Sequence, residues 1–263
     1  MSDYETVSYR TDEQVAIITL NRPQARNALT AQMRAELYAA IREANNDNNV
    51  RVVLLTGAGK GFCAGADLVE AYPDSDKDGF ITHQLRTEYH PIIQAITESP
   101  KPFMSAINGA AAGIGAAIAM ACDLMVMAED AFLYSAFGAI SLIPDGGTHW
   151  FLSRNLGNKK AFEMIAFSQR LSAEQCVHYG VANCVVDAQH LQEEALGWAR
   201  SLTDLAPLTL QYSKQLLREA STATLAQTME REAQIQNIHY RSEDFKEGAQ
   251  AFLEKRAAKF QGR

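Results

Sequence analysis

Two runs of small residues, far apart in the chain, constrain it more than any other feature: Phe62-Cys63-Ala64-Gly65-Ala66-Asp67 and Asn108-Gly109-Ala110-Ala111-Ala112-Gly113-Ile114-Gly115. Glycine and alanine leave the peptide group uncovered, so a fold that carries these runs must bring backbone close to backbone or to a ligand. Each run leads into a segment that can start a helix, where unpaired N–H groups and the positive dipole end favour negative charge. Two such donors can hold one oxyanion. The chemistry implied passes through an enolate or a tetrahedral oxyanion.

The patterning around these runs predicts an α/β chain. Strands are expected over 4–9 and 15–20, and the apolar run 50–56, closed by Gly57, suits a buried strand. Between them, 30–47 reads as a helix, because Met33, Leu37, Ile41 and Ala44 recur at helical spacing and Thr30 can cap the first turn. Residues 72–79 are polar, and a lid over the site is expected there, followed by a helical pattern over 80–97. Ser99-Pro100-Lys101-Pro102 ends that helix, 103–107 resumes as a strand, Gly113 opens a small-residue helix, and 124–128 is a further strand. Ser172-Ala173-Glu174-Gln175 forms a capping-box pattern with a stop at Gly180, and 183–187 is a short strand. Beyond it, 191–202, 208–220, 225–240 and 245–258 are poor in strand formers. The expected division is a core over 1–195, holding the site, and a helical oligomerisation region over 196–263.

Composition narrows the class of partner. The 263 residues, 47% hydrophobic and 21% charged, suffice for a sizeable core. A net charge of -7 argues against nucleic acid or an anionic membrane as a partner held by a global positive field. Cys63, Cys122, Cys176 and Cys184 show no Cys-x-x-Cys pair and no histidine at zinc-finger spacing, so no metal is expected and a reduced, cytoplasmic setting is. The N-terminus shows no basic stretch followed by an apolar one, and the longest weakly polar run, 109–122, is too short to span a bilayer.

Several motif readings fail on their own residues. Gly57-Ala58-Gly59-Lys60-Gly61 follows a strand, but Phe62 stands where a dinucleotide fingerprint needs its third glycine, and Gly59-Lys60 lacks the Ser or Thr of a phosphate-gripping loop. No Gly-x-Ser-x-Gly elbow and no His-Glu-x-x-His is present. What remains is Asn21-Arg22-Pro23 with Arg26-Asn27-Ala28-Leu29, Ala64-Gly65-Ala66-Asp67, Ile107-Asn108-Gly109 with Gly113-x-Gly115, Cys122-Asp123, and Ile143-Pro144-Asp145-Gly146-Gly147. Together these resemble the enoyl-CoA hydratase/isomerase (crotonase) superfamily over nearly the whole chain. The resemblance implies a crotonase-like (ClpP/crotonase) spiral of βαβ units, acyl-CoA substrates and a role of the fatty-acid-metabolism type. It implies no cofactor beyond the coenzyme A of the substrate, and a homotrimer or pair of trimers built through the C-terminal helices.

By position, the resemblance assigns the thioester-oxygen donors to the N–H groups of Ala66 and Ile114, flanked by Ala64, Gly65, Asp67 and Gly113. The adenine is expected near the backbone of 63–66, and Arg22 and Arg26 near the CoA phosphates, with Lys255, Arg256 and Lys259 reaching in from a neighbouring subunit. The two glutamates of the hydratases fall at Ala117 and Ala136, which cannot transfer a proton. Asp145 falls where the superfamily's double-bond isomerases, and the ring-opening isomerase of aromatic acyl-CoA catabolism, carry one acidic residue. Phe137, Leu142, Ile143 and Trp150 are expected to dry its pocket and raise its proton affinity. His149 shares a face with Asp145 if a helix begins at Gly146.

The expected reaction is isomerisation through a stabilised enolate with Asp145 as the single acid/base. Hydration, using Asp145 or His149 with bound water, is the nearest alternative. His90, Asp145 and Phe137 also resemble the site of 4-chlorobenzoyl-CoA dehalogenase, although Ala66 replaces that enzyme's bulky aromatic donor residue. A catalytically silent acyl-CoA binder is the alternative of another class. Against all of these stands the plainer reading that Pro-Asp-Gly is a turn, that Asp67 caps its own turn, and that the glycine runs pack helix on sheet.

Overall fold

The computed structural model describes residues 4–71 and 78–263. It opens on an antiparallel hairpin, β1 (Val7–Asp12) and β2 (Val15–Leu20), paired from Val7↔Leu20 to Asp12↔Val15. The first strand therefore lies later than the expected 4–9, because the turn at Glu13 and the length of β2 choose which residues pair. Helix α1 (Ala31–Asn46) starts as expected, with the Thr30 side chain accepting from the Met33 N–H. β3 (Val52–Gly57) is buried along its whole length and runs parallel to β2. The short β4 (Gly61–Cys63) and α2 (Leu68–Ala71) follow. Residues 72–77, the larger part of the expected lid, lie outside the described residues.

The helix expected over 80–97 is three pieces: α3 (Phe80–Gln84), a π-helical turn over Leu85–Tyr89, and α4 (His90–Thr97). Pro91 explains the interruption. It has no N–H for the carbonyl four residues back, so the ladder widens there into the π turn. The chain continues through β5 (Phe103–Ile107), β6 (Ala110–Ala112), α5 (Ile114–Ala121), β7 (Leu124–Ala128) and β8 (Phe132–Tyr134). Then come α6 (Thr148–Ala166), bent at Gly157, β9 (Arg170–Ser172), α7 (Ala173–His178) with its capping box, and β10 (Cys184–Val186). The last helices are α8 (Leu191–Thr203), α9 (Pro207–Ala220), α10 (Leu225–His239) and α11 (Glu243–Glu254).

Strand order is β1-β2-β3-β5-β7-β10 in one sheet and β4-β6-β8-β9 in the other. Successive strands of the large sheet thus each pass on to one of the small sheet: β3 to β4, β5 to β6, β7 to β8. The chain advances as a spiral whose turns repeat the same path. That repetition positions the site, because the ends of β4 and β6 occupy equivalent places on adjacent turns and pair in parallel, Cys63 opposite Ala111.

Helix α8 covers β3, β5 and β7, with Ala195 and Ala199 buried against them. Residues 195 and 196 lie inside this helix, so the core packing continues through Thr203 and the later helices form a separate layer. Among the described residues no helix is long and apolar enough to cross a membrane.

Candidate active site

Both donor segments lie side by side and leave an N–H free. Leu29 and Ala66 form a parallel bridge in which the Leu29 N–H donates to Gly65 O at 2.8 Å and the Asp67 N–H donates to Leu29 O at 3.2 Å. In an extended segment alternate N–H groups point to opposite edges, so the Ala66 N–H faces away from Leu29. Ile114 is the first residue of α5, and a helix offers its first N–H no internal acceptor. Neither N–H has an acceptor among the described residues. Gly65 has φ +97°, and a Cβ there would sit 3.0 Å from Ala112 O and 3.7 Å from Gly113 Cα, so only glycine lets the two segments close to this spacing. Phe137 is buried beside Gly113.

Asn27 fastens this arrangement from below. Fully buried, it donates through Nδ2 to Ala58 O, Gly61 O and Phe62 O, while its Oδ1 accepts the Arg22 N–H. The β2–α1 loop is thereby held to the strand that leads into the first donor. Cys63 is packing rather than chemistry: burial pushes its thiol up to about 12.

Asp145 stands over the first turn of α5. A Cβ on the next residue, Gly146, would meet Ile114 Cδ1 at 2.2 Å and Ala117 Cβ at 2.9 Å, so the loop backbone rests on α5 itself. The Asp145 carbonyl accepts from the Thr148 N–H and Oγ1 at 3.0 and 2.7 Å, which fixes the turn into α6. Its carboxyl oxygen Oδ1 is buried without a partner among the described residues. Burial pushes the carboxyl up to about 6. A turn aspartate serving only its turn would point its oxygens at N–H groups or at water.

Other expected residues fall elsewhere. Leu142, Ile143 and Trp150 are 53, 76 and 43% exposed in the single chain, so of the four residues expected to dry Asp145 Phe137 is the buried one, and α5 packs against the adjacent Gly146. Arg22 is engaged within the chain, giving Nη1 to Asp67 Oδ2 at 3.0 Å and to Ala28 O. Asp67 also accepts the Val69 N–H, the turn-capping role expected of it. Arg26 is exposed, as are Ala64, His90 and His149, and α6 begins at Thr148 rather than Gly146. Arg256 pairs with Glu247 and Glu254 within its own tail.

Two residues escaped sequence reasoning. Arg34 lies on the buried face of α1, and Tyr89, in the π turn, points its hydroxyl at it, 3.3 Å from Nη1. A signal existed for the first: an arginine between Met33 and Leu37, on an otherwise apolar helix face, needs a buried acidic partner.

With this geometry in view, comparisons with known proteins converge. The sequence model of the enoyl-CoA hydratase/isomerase family matches residues 10–263. A probable enoyl-CoA hydratase of Rhodobacter capsulatus is 37% identical over 261 residues, 99% of each chain. A 1,2-epoxyphenylacetyl-CoA isomerase of Escherichia coli is 35% identical over 260 residues, 98% of this chain and 99% of that one. Among solved structures, an enoyl-CoA hydratase from a Polaromonas species superposes with a TM-score of 0.93 at 34% identity, covering 97% of this chain and 99% of its own.

Proposed function

The chain belongs to the enoyl-CoA hydratase/isomerase family, and on that premise we propose that it isomerises an acyl-CoA thioester with Asp145 as its single proton carrier. The thioester oxygen accepts from the Ala66 and Ile114 N–H groups. As the proton leaves C2, charge moves onto that oxygen, where the two aligned donors meet it without reorganisation; one such donor is worth about 3 kcal/mol of transition-state stabilisation. The Asp145 carboxylate takes the C2 proton and returns it at C4 of the dienolate. No water is consumed, and one carboxylate suffices because it is unloaded by the step that completes the reaction. A desolvated carboxylate is also a better base than an exposed one.

The observation that carries this reading is the buried, unpartnered Oδ1 of Asp145 above the first turn of α5. Hydration would need a second group to manage water. Ala117 and Ala136 supply none, and the Ala117 Cβ is already packed against Gly146. An aromatic acyl group is the second reading, favoured by the kinship to an enzyme named 1,2-epoxyphenylacetyl-CoA isomerase. The family resemblance suggests a trimer or pair of trimers, and an interface of some kind on α9–α11 is supported by Leu217, Leu225, Phe252 and Leu253, each more than three-quarters exposed.

The test is conversion of 3-enoyl-CoA to 2-enoyl-CoA by wild type and Asp145→Asn, beside 1,2-epoxyphenylacetyl-CoA and hydration of 2-enoyl-CoA. Isomerisation lost in the variant supports the proposal. Equal rates would remove Asp145 from the mechanism, robust hydration would make the enzyme a hydratase, and tight binding without turnover of any thioester would make it a binder.

A further inference from the structure

We propose that Arg34 is the positioning residue of this pocket, setting the direction of the Ala66 N–H through Leu29 and joining the donor segment to the wall that carries Tyr89. This rests on the reading of Ala66 as a donor to the thioester oxygen. The Arg34 side chain is only 4% exposed, yet its guanidinium spends every arm on a different part of the pocket. Nη1 donates to Leu29 O at 2.8 Å, the same carbonyl that takes the Asp67 N–H. Leu29 also gives its own N–H to Gly65 O, so its two main-chain bonds bracket Ala66 on either side. A shift of Leu29 therefore turns the Ala66 peptide. Nη2 reaches Glu70 Oε1 at 3.2 Å, and the Glu70 carboxylate in turn accepts the Ala31 N–H at 2.8 Å, two residues past Leu29.

The remaining contacts face the opposite wall. Nε donates to Glu88 Oε2 at 2.5 Å, and Nη1 also reaches the Tyr89 hydroxyl, with the guanidinium carbon 5.0 Å from the Tyr89 ring centre. Tyr89 is 3% exposed; burial raises its hydroxyl to about 12, with the Asp145 carboxylate adding to the rise and Arg34 opposing it. Stability is a poor explanation for such a residue, since apolar replacements of buried ion pairs are often neutral or stabilising. Geometry is a better one. The planar fork holds several acceptors at fixed angles, which the point charge of a lysine cannot do.

The experiment uses Arg34→Lys and Arg34→Met in the full chain. It reads kcat and KM on the best acyl-CoA substrate, affinity for free coenzyme A, and the thioester C=O stretching frequency of bound substrate by difference Raman spectroscopy. Misplacement of a reacting group by about 1 Å can cost about a hundredfold in rate. The expected result is a loss of kcat of about that size with KM and coenzyme A affinity unchanged, and a carbonyl frequency that moves back toward its value in solution. Should Arg34→Met not fold, Arg34→Lys carries the test, because its ammonium cannot span Leu29, Glu70 and Glu88 at once. Wild-type kcat and carbonyl frequency in a folded variant would overturn the role of Arg34. A wild-type protein that shifts no thioester carbonyl would instead sink the reading of Ala66.

Discussion

Asp145 is costly to keep ionised, since its buried Oδ1 has no donor among the described residues, and this cost dictates its pH behaviour. In the proposed role of base it must be a carboxylate, so kcat/KM is expected to rise with pH along a limb centred at about 6, rather than near the ordinary 3.8. A pH profile of kcat/KM checks this. The same shift acts on stability. A carboxyl that holds its proton more tightly when folded adds stability below about 3.8, and this is lost as pH rises through about 6. Asp145→Asn is therefore expected to abolish turnover while raising the melting temperature at about pH 8, with no gain below the ordinary carboxyl value. Melting curves at both pH values decide it. The identity of this residue was legible in Ile143-Pro144-Asp145-Gly146-Gly147. The source of its burial was not, because the apolar residues nearest in sequence, Leu142 and Ile143, are exposed, while Ile114 and Ala117 come from another turn of the spiral.

Helix α5 is built to be approached. Its small residues admit the Gly146 backbone at one end, and its first N–H points out of the helix. Restoring the hydratase-type acid by Ala117→Glu is expected to fail: the longer side chain displaces Gly146 and Asp145, isomerisation falls, and hydration of 2-enoyl-CoA stays at background in an absorbance assay. The starts of α1 and α7 were readable from their caps, Thr30 and Ser172, whereas the long helix α6 was not. The π turn at Leu85–Tyr89 was not, because Pro91 marks an interruption without saying whether the helix ends, kinks or widens.

The C-terminal layer is tied to the spiral by few polar contacts. Lys214 on α9 reaches Asp123 Oδ2 at 2.8 Å and also donates to Ile96 O and Lys101 O, crossing from the last helices to the core. Burial raises the Asp123 carboxyl and lowers the Lys214 amine, so the pair is strained by desolvation but still paired. Lys214→Met alone is expected to cost about 3 kcal/mol in a denaturant titration, and adding Asp123→Asn to recover part of it. If the proposed oligomer forms through the exposed apolar face of the same layer, Phe252→Asp with Leu253→Asp is expected to lower the mass seen in light scattering to that of a monomer, with the circular dichroism of the chain retained.

Local residue chemistry alone pointed to most of the strands and helices and to two glycine-rich runs with uncovered backbone, while the roles of Asp145, Ala117 and Ala136 came only from the resemblance to a family. The former are properties of neighbours in the chain, carried by size, periodicity and capping. Packing between turns of the spiral decided the rest: that β4 and β6 run side by side, that α5 packs against Gly146 beside Asp145, and that Arg34 links Leu29 to Tyr89. Each of these joins residues distant in sequence. Burial, and with it proton affinity, depends on what the rest of the chain brings alongside.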